Sequence, residues 1–410
     1  MAAKPVGVVA AIKRGSIVFL ILISAHVFAQ TTDNPKKKPP VSLELLYNFY
    51  HQDGNNSAVT GGIGTEKLTY NSPNIVVHIP ADSVSGFTVK AGVDVYSSAS
   101  QDNIDFNVSS ASAQDARTHI SVGYATENPD KETSYSAHVS GSVESDYLSF
   151  GVGGNFSKGW YNGNSVLQLG AQLYFDDCRW GWLDGERGTQ LQLIYPQELR
   201  YKEWFDIYKR YSTTLNIGFN QLLTSRLSIG LYADGVWQTG LLSTTFHRVY
   251  FTDQTTARVE NLPQNRFKIP LALRVNYFAL KRVLLRGYYR FYSDNWGINA
   301  HTLELESSIK LRTFFSIMPF YRFYVQQGAY WFQPYGEHFS SSTYYTSDYD
   351  LSPFTAHQFG VGINWKPASG LWVAPNGYGW QGMQVRLGTY LRSTGLNALF
   401  LSTVFFIGTN

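Results

Sequence analysis

The sequence predicts an all-β fold: a transmembrane antiparallel up-and-down β-barrel of about 16 strands (about 14–18), with periplasmic termini and long extracellular loops. Three observations lead to it. Long runs alternate apolar and polar side chains with a period of two. Charge is scarce while aromatic residues are plentiful. Connections between the runs tend to alternate between long and short.

The alternation is clearest over Phe267–Gln327. Ile269, Leu271, Leu273, Val275 and Tyr277 share one side, against Pro270, Ala272, Arg274, Asn276 and Phe278 on the other. The pattern restarts at Val283, and later runs set Leu303 and Leu305 against Glu304 and Glu306, then Tyr321 and Phe323 against Arg322 and Tyr324. Successive side chains of a strand point to opposite faces, so this period means extended strands. An apolar face backed by a charged one, in strands this long, is the pattern of a barrel wall, apolar toward lipid and polar within. A soluble β-sandwich also alternates, but its buried face would be aliphatic and its turns more evenly short.

Composition agrees. Charged residues are 15% of the 410, below the roughly 25% of ordinary soluble domains. Aromatics reach 16%, with 28 Tyr, 26 Phe and 10 Trp, and Tyr and Trp suit the membrane–water interface. A net charge of only +3, with no basic cluster beyond the N-terminus, argues against a nucleic-acid partner. The single cysteine, Cys178, allows neither an intrachain disulfide nor an all-cysteine metal site.

Residues 1–29 read as an export signal. Lys4, Lys13 and Arg14 precede the short apolar core Ile17–Ile23, and Val27-Phe28-Ala29 offers a cleavage site before Gln30. Residues 30–41, with Lys36-Lys37-Lys38-Pro39-Pro40, form a polar periplasmic tail, and 42–410 form the barrel. Its expected strands are Ser42–His51, Lys67–Ile79, Phe87–Ala99, Arg117–Glu127, Thr133–Glu144, Asp146–Lys158, Ser165–Asp176 and Tyr211–Leu222. They continue as Arg226–Thr239, Phe267–Phe278, Val283–Tyr292, His301–Arg312, Phe315–Gln326, Thr355–Lys366, Gly382–Arg392 and Leu396–Phe406. With a periplasmic N-terminus, the outer connections include 52–66, 100–116, 177–210, 240–266 and 327–354, whereas most inner ones are short, such as 223–225 and 313–314. That asymmetry is typical of outer-membrane barrels. One inner connection, Pro367–Gln381, is longer than the pattern accounts for. The last strand ends in Phe405-Phe406, the kind of terminal segment that barrel-assembly machinery recognises.

Several loop-bearing segments carry a resemblance. QDGNNSAVTGGIGTEKL (52–68), GVDVYSSASQDNIDF (92–106), YFDDCRWGWL (174–183), YPQELRYKEWFDIYKR (195–210), FHRVYFTD (246–253), RVENLPQNRFKIP (258–270), SDNWGINAHTLELE (293–306) and YTSDYDLSPF (345–354) span most of the mature chain. The chain resembles a family of predicted bacterial outer-membrane proteins defined only as a domain of unknown function. The resemblance implies an outer-membrane barrel and brings no assigned activity, ligand set or cofactor.

The charges predicted to face the lumen are the best functional lead. The first nine strands contribute Lys90, Asp94, His119, His138, Glu144, Asp176 and Asp234, and the later ones Arg274, Arg286, Arg290, Glu304, Glu306, Lys310, Arg322, Arg386 and Arg392. The early half leans acidic and the late half is mostly arginine. Two readings stand: opposed arcs set a transverse field across an open pore, or the charges pair with neighbouring strands and fill the interior. Size bears on the choice, because about 16 strands can leave an aqueous channel.

Metal and enzyme signals are weak. Asp102 and Asp105, with Asn103, are the weak candidates for a loop metal, alongside Asp53-Gly54-Asn55-Asn56, Asp348 and Asp350. The EF-hand spacing is not met, and turns favour the same residues, so no metal and no cofactor is expected. Neither GxSxG nor HExxH occurs. His247 with Asp253, or Glu337-His338, could imitate a hydrolytic pair at the rim, but the expectation is not an enzyme. Tyr324–Phe354 is aromatic-rich enough to bind a sugar or protein partner, or to fold inward and constrict the pore. The leading expectation is a channel or uptake pore for a small polar solute, in contact with outer-membrane lipid. The alternatives are a non-conducting scaffold holding an envelope protein partner, and a rim hydrolase.

Overall fold

The computed structural model describes residues 38–98, 114–144, 148–178, 208–368, 370, 372–374 and 377–409. The expected export signal, residues 30–37 of the expected tail, and both Asp102 and Asp105 lie outside the described residues.

Sixteen long strands form one wall. They are β1 (Ser42–Asp53), β2 (Leu68–Pro80), β3 (Ser85–Ser98), β4 (Gln114–Asn128), β5 (Thr133–Val143), β6 (Leu148–Trp160), β7 (Ser165–Asp177) and β8 (Lys209–Thr224). The wall continues with β9 (Leu227–Gly240), β10 (Asn265–Leu280), β11 (Val283–Asp294), β12 (Asn299–Arg312), β13 (Phe315–Gln326), β14 (Phe354–Trp365), β15 (Tyr378–Arg392) and β16 (Asn397–Thr409). Each pairs antiparallel with its sequence neighbours. β1 also pairs with β16, from Leu43 opposite Ile407 to Asp53 opposite Asn397, and the sheet closes. All sixteen strands expected from the alternation are present.

Strand ends shift from expectation by up to four residues, most at the start of β15. The long inner connection is a short ladder rather than an open loop: Trp372 and Val373 pair with Trp380 and Gly379, and β15 begins at Tyr378, so only 366–377 links it to β14. The glycines and Pro367 there mask the strand pattern in sequence. The expected start of β6 at Asp146 lies outside the described residues, and β6 is described from Leu148.

Outside the wall, large apolar side chains stand open on every strand but β2, among them Ile120, Val139, Leu215, Leu231, Leu271, Leu305 and Leu399. A water-soluble protein would not carry such a surface, and lipid satisfies it. The closed ladder leaves no backbone edge, which the hydrocarbon layer requires of any sheet. Aromatic clusters flank the apolar band. Phe87–Tyr124 and Tyr135–Phe156 lie toward the short-turn end, and Phe150, Phe175 and Tyr211 toward the other. Two outward histidines repeat one design. Tyr289 OH is 2.8 Å from His301 Nδ1, and Tyr321 OH is 2.8 Å from His357 Nδ1. These features make the chain a bacterial outer-membrane β-barrel.

Turns at one end are as short as 281–282 and 313–314, while 241–264 and 327–353 span the other. Those two long loops fold on each other. Arg248 and Val249 pair with Val259 and Arg258, Asn261 bridges Tyr345, and Phe251 bridges His338. Val249, Phe251 and Tyr345 make a small apolar core beneath them. The loop 54–67 completes this cap: Gly62, at φ +92°, lies against the Ser347 carbonyl.

Candidate functional site

The charged inner face divides into two arcs. On the later strands, the period of two sends Arg274, Arg286, Arg290, Glu304, Glu306, Arg322 and Arg392 to one cavity of about 1010 Å³. Register then decides which charges meet. Arg286 sits opposite Glu306, and Glu304 opposite Arg322. Arg322 Nε donates to Glu304 Oε2 at 2.8 Å, and Arg286 Nη1 to Glu306 Oε1 at 2.5 Å. Arg386 reaches in from β15 to give Glu306 Oε2 a second bond at 3.0 Å, its guanidinium 3.9 Å from the Phe320 ring centroid. Arg392 donates to Asp350 Oδ1 at 2.7 Å and lies 3.8 Å from the Phe354 ring centroid.

Two arginines stand apart. Arg274 rests between the rings of Tyr232 and Tyr288, and Arg290 beside Tyr292. Neither has a carboxylate within ion-pair distance among the described residues. They sit on adjacent strands, since Arg274 pairs with Tyr288 and Ala272 with Arg290, a diagonal separation of about 7–8 Å. With Asp350 of the cap also lining the space, five arginines meet three carboxylates around this cavity.

The earlier strands build a second cavity of about 770 Å³ around Asp94 and Asp176. Asp94 accepts from Tyr70 and Ser72 at 2.8 and 2.7 Å, with His119 Nε2 at 3.8 Å. Asp176 accepts from Ser149 at 2.7 Å and from Arg210 Nε at 2.8 Å. Arg210 and Arg117, both lining this cavity, are absent from the sequence-based set, so this arc is less acidic than expected. Arg117 was legible from its spacing to His119; Arg210 was not, because its strand begins two residues earlier than the alternation indicates.

The other expected positions scatter. Asp234 lines a separate cavity with Asn216 and Tyr232, and Lys310 another near the short-turn end with Lys281 and Lys366. His138 Nε2 lies 3.5 Å from Gln172 Nε2. Lys90 shares the Asp94 side of β3 but lines neither large cavity. Glu144 falls in the connection after β5 rather than within the strand.

The rim pairs rearrange in the cap. Asp253 does not meet His247; it accepts from the Ser340 amide and hydroxyl at 2.8 and 2.7 Å. His338 Nε2 lies 2.9 Å from the Thr346 carbonyl oxygen. His247 Nδ1 instead faces Glu260 Oε2 at 3.4 Å and Asp348 Oδ2 at 3.9 Å. Burial works against a charged His247, but Glu260 and Asp348 outweigh it and carry the imidazole up to about 9. Burial pushes Asp348 up to about 6, against the pull of His247. No local sequence signal joins these three residues.

The sequence matches, over residues 18–393, the family described as a protein of unknown function, DUF3570. The chain belongs to this family. No curated protein shows a sequence match to it. Among solved structures, the chain is similar to a bacterial polysaccharide outer membrane secretin at 9% identity and a TM-score of 0.47, covering 92% of this chain and 100% of that one. A BenF-like porin from Pseudomonas fluorescens Pf-5 aligns at 6% identity and a TM-score of 0.43, covering 90% and 98%. OccK2 (OpdF) of Pseudomonas aeruginosa, in complex with glucuronate, aligns at 8% identity and a TM-score of 0.41, covering 90% and 96%.

Proposed function

We propose that the barrel is an outer-membrane channel that passes a small anionic solute along the arginine arc, beneath a loop cap that narrows its outer mouth. The observation that carries this reading is the pair Arg274 and Arg290. Both are exposed to the lumen, and Glu304, Glu306 and Asp350 already neutralise the arginines nearest them. Two guanidiniums held only by tyrosine rings leave donors free for a passing carboxylate or phosphate, which an arginine can meet with two parallel bonds. The flanking rings keep both side chains extended into the lumen. The other arc, where Asp94 and Asp176 stand beside Arg117, Arg210 and several hydroxyls, offers mixed polar contacts to a solute that carries both charge and hydroxyl groups.

Planar-bilayer recording of the purified protein tests the proposal. Steady unitary currents with a reversal potential favouring anions are expected under a salt gradient, and R274Q with R290Q should move that potential toward zero. A wild-type barrel that never conducts would replace this reading with the non-conducting scaffold. Conduction without anion preference would remove the role assigned to the two arginines.

A further inference from the structure

His247 and Glu260 belong to one outer loop and Asp348 to the other, yet their ligand atoms all lie within 4.8 Å of one another. We propose that this cluster binds one divalent first-row cation of the zinc type, which fastens loop 241–264 to loop 327–353. Ligand atoms around one such ion, with bonds of about 2.0–2.2 Å, sit at separations like the 3.4 and 3.9 Å between His247 Nδ1 and the two carboxylates. One imidazole nitrogen and two carboxylate oxygens suit zinc, manganese or ferrous iron. Calcium prefers six to eight oxygens (about 2.3–2.6 Å) and no nitrogen.

Both carboxylates are already aimed. Glu260, only 2% exposed, accepts from the Thr244 amide at 2.8 Å and the Thr346 hydroxyl at 2.5 Å. Asp348 accepts from the Asp350 amide at 2.9 Å, and its own amide donates to the Thr346 hydroxyl at 3.0 Å. Thr346, fully buried, therefore orients both acidic ligands, the part that outer-shell partners play around bound metals. The neighbouring Asp350 is engaged by Arg392. Two carboxylates thus converge on a single imidazole in a poorly solvated pocket, an arrangement that a dication neutralises better than one proton does.

Full-length barrel in detergent, stripped with a chelator and titrated with Zn²⁺ alone, tests the proposal without any measurement of current, so its failure and that of the channel reading are separable. One Zn²⁺ per chain should bind in competition with a chromophoric chelator, and Zn²⁺ should slow protease cleavage within 327–353 by at least tenfold. H247A and D348N should each weaken binding at least tenfold while keeping the heat-modifiable migration of a folded barrel. Should either variant misfold, the wild type still decides: bound Zn²⁺ must shield His247 from diethyl pyrocarbonate. Substoichiometric binding, binding unchanged in both variants, or a His247 that reacts equally with and without Zn²⁺ would each overturn the site.

Discussion

Arg392 of β15 donates to Asp350 of the loop 327–353 at 2.7 Å, with its own side chain 3% exposed and that of Asp350 75% exposed. The same guanidinium donates to the Tyr349 carbonyl, and Gln326 donates to the carbonyls of Asp350 and Ser352. Arg392, a buried cation, and Gln326 thus tether the cap to the wall. R392Q should release it, losing on the order of 1.5–3 kcal/mol of cap stability for the charged bonds. D350N should cost less, because water already solvates that carboxylate. Hydrogen exchange across 345–352 measures both; equal protection in R392Q and wild type would contradict the tether.

Glu306 holds two arginines at once, Arg286 at 2.5 Å and Arg386 at 3.0 Å. Breaking a fully buried pair costs about 3–5 kcal/mol, but these guanidiniums are 43% and 32% exposed and water shares the load. E306Q should thus lower barrel stability by about 1–2 kcal/mol and strengthen anion preference, the opposite sign to R274Q with R290Q. Reversal potentials of the two variants under one salt gradient check the pair of signs together.

The bonds from Ser340 hold the Asp253 carboxyl below its ordinary range. A depressed folded value means that the contribution of this link to stability is complete above the unfolded value of about 3.9. It is lost as pH falls through the lower folded value. The Ser340 amide should stay protected from exchange at pH 6 and lose protection well below pH 4, whereas D253N should lack that protection at both. No change between the two pH values in the wild type would refute the linkage.

Gly61 and Gly62 have φ of +84° and +92°, and a Cβ on Gly62 would lie 2.8 Å from the Ser347 oxygen. G62A should combine about 1–2 kcal/mol of backbone strain with displacement of loop 54–67 from the cap. Faster proteolysis within 54–67, with the barrel still folded, is the expected result.

The wall was legible in the sequence because both of its causes are local. Alternation names the face of each residue, as with Leu303 and Leu305 outside and Glu304 and Glu306 inside. Antiparallel neighbours joined by short connections, four residues between β11 and β12, then nearly fix the register, so Arg286 opposite Glu306 could be anticipated. The cap obeys no such rule. His247 meets Glu260 and Asp348 because two irregular loops share an apolar core at Val249, Phe251 and Tyr345. Nothing periodic in either loop announces that meeting, and the nearby Asp253, the obvious partner in sequence, turns to Ser340 instead. Arg210 was missed for a smaller reason, a strand end that the alternation placed two residues late.

Fifteen of the sixteen lateral seams join strands that follow one another along the chain, and the sixteenth joins β1 to β16 through eleven facing pairs. The cylinder is thus a hoop with one clasp, and the clasp lies between its most distant parts. Until 397–409 is delivered, both rims of the curled sheet carry unpaired amides and carbonyls, which are templates for any other strand nearby. A chain cut short by those thirteen residues should lose more than a sixteenth of its wall, because it would remain an open ribbon prone to stacking on its own kind.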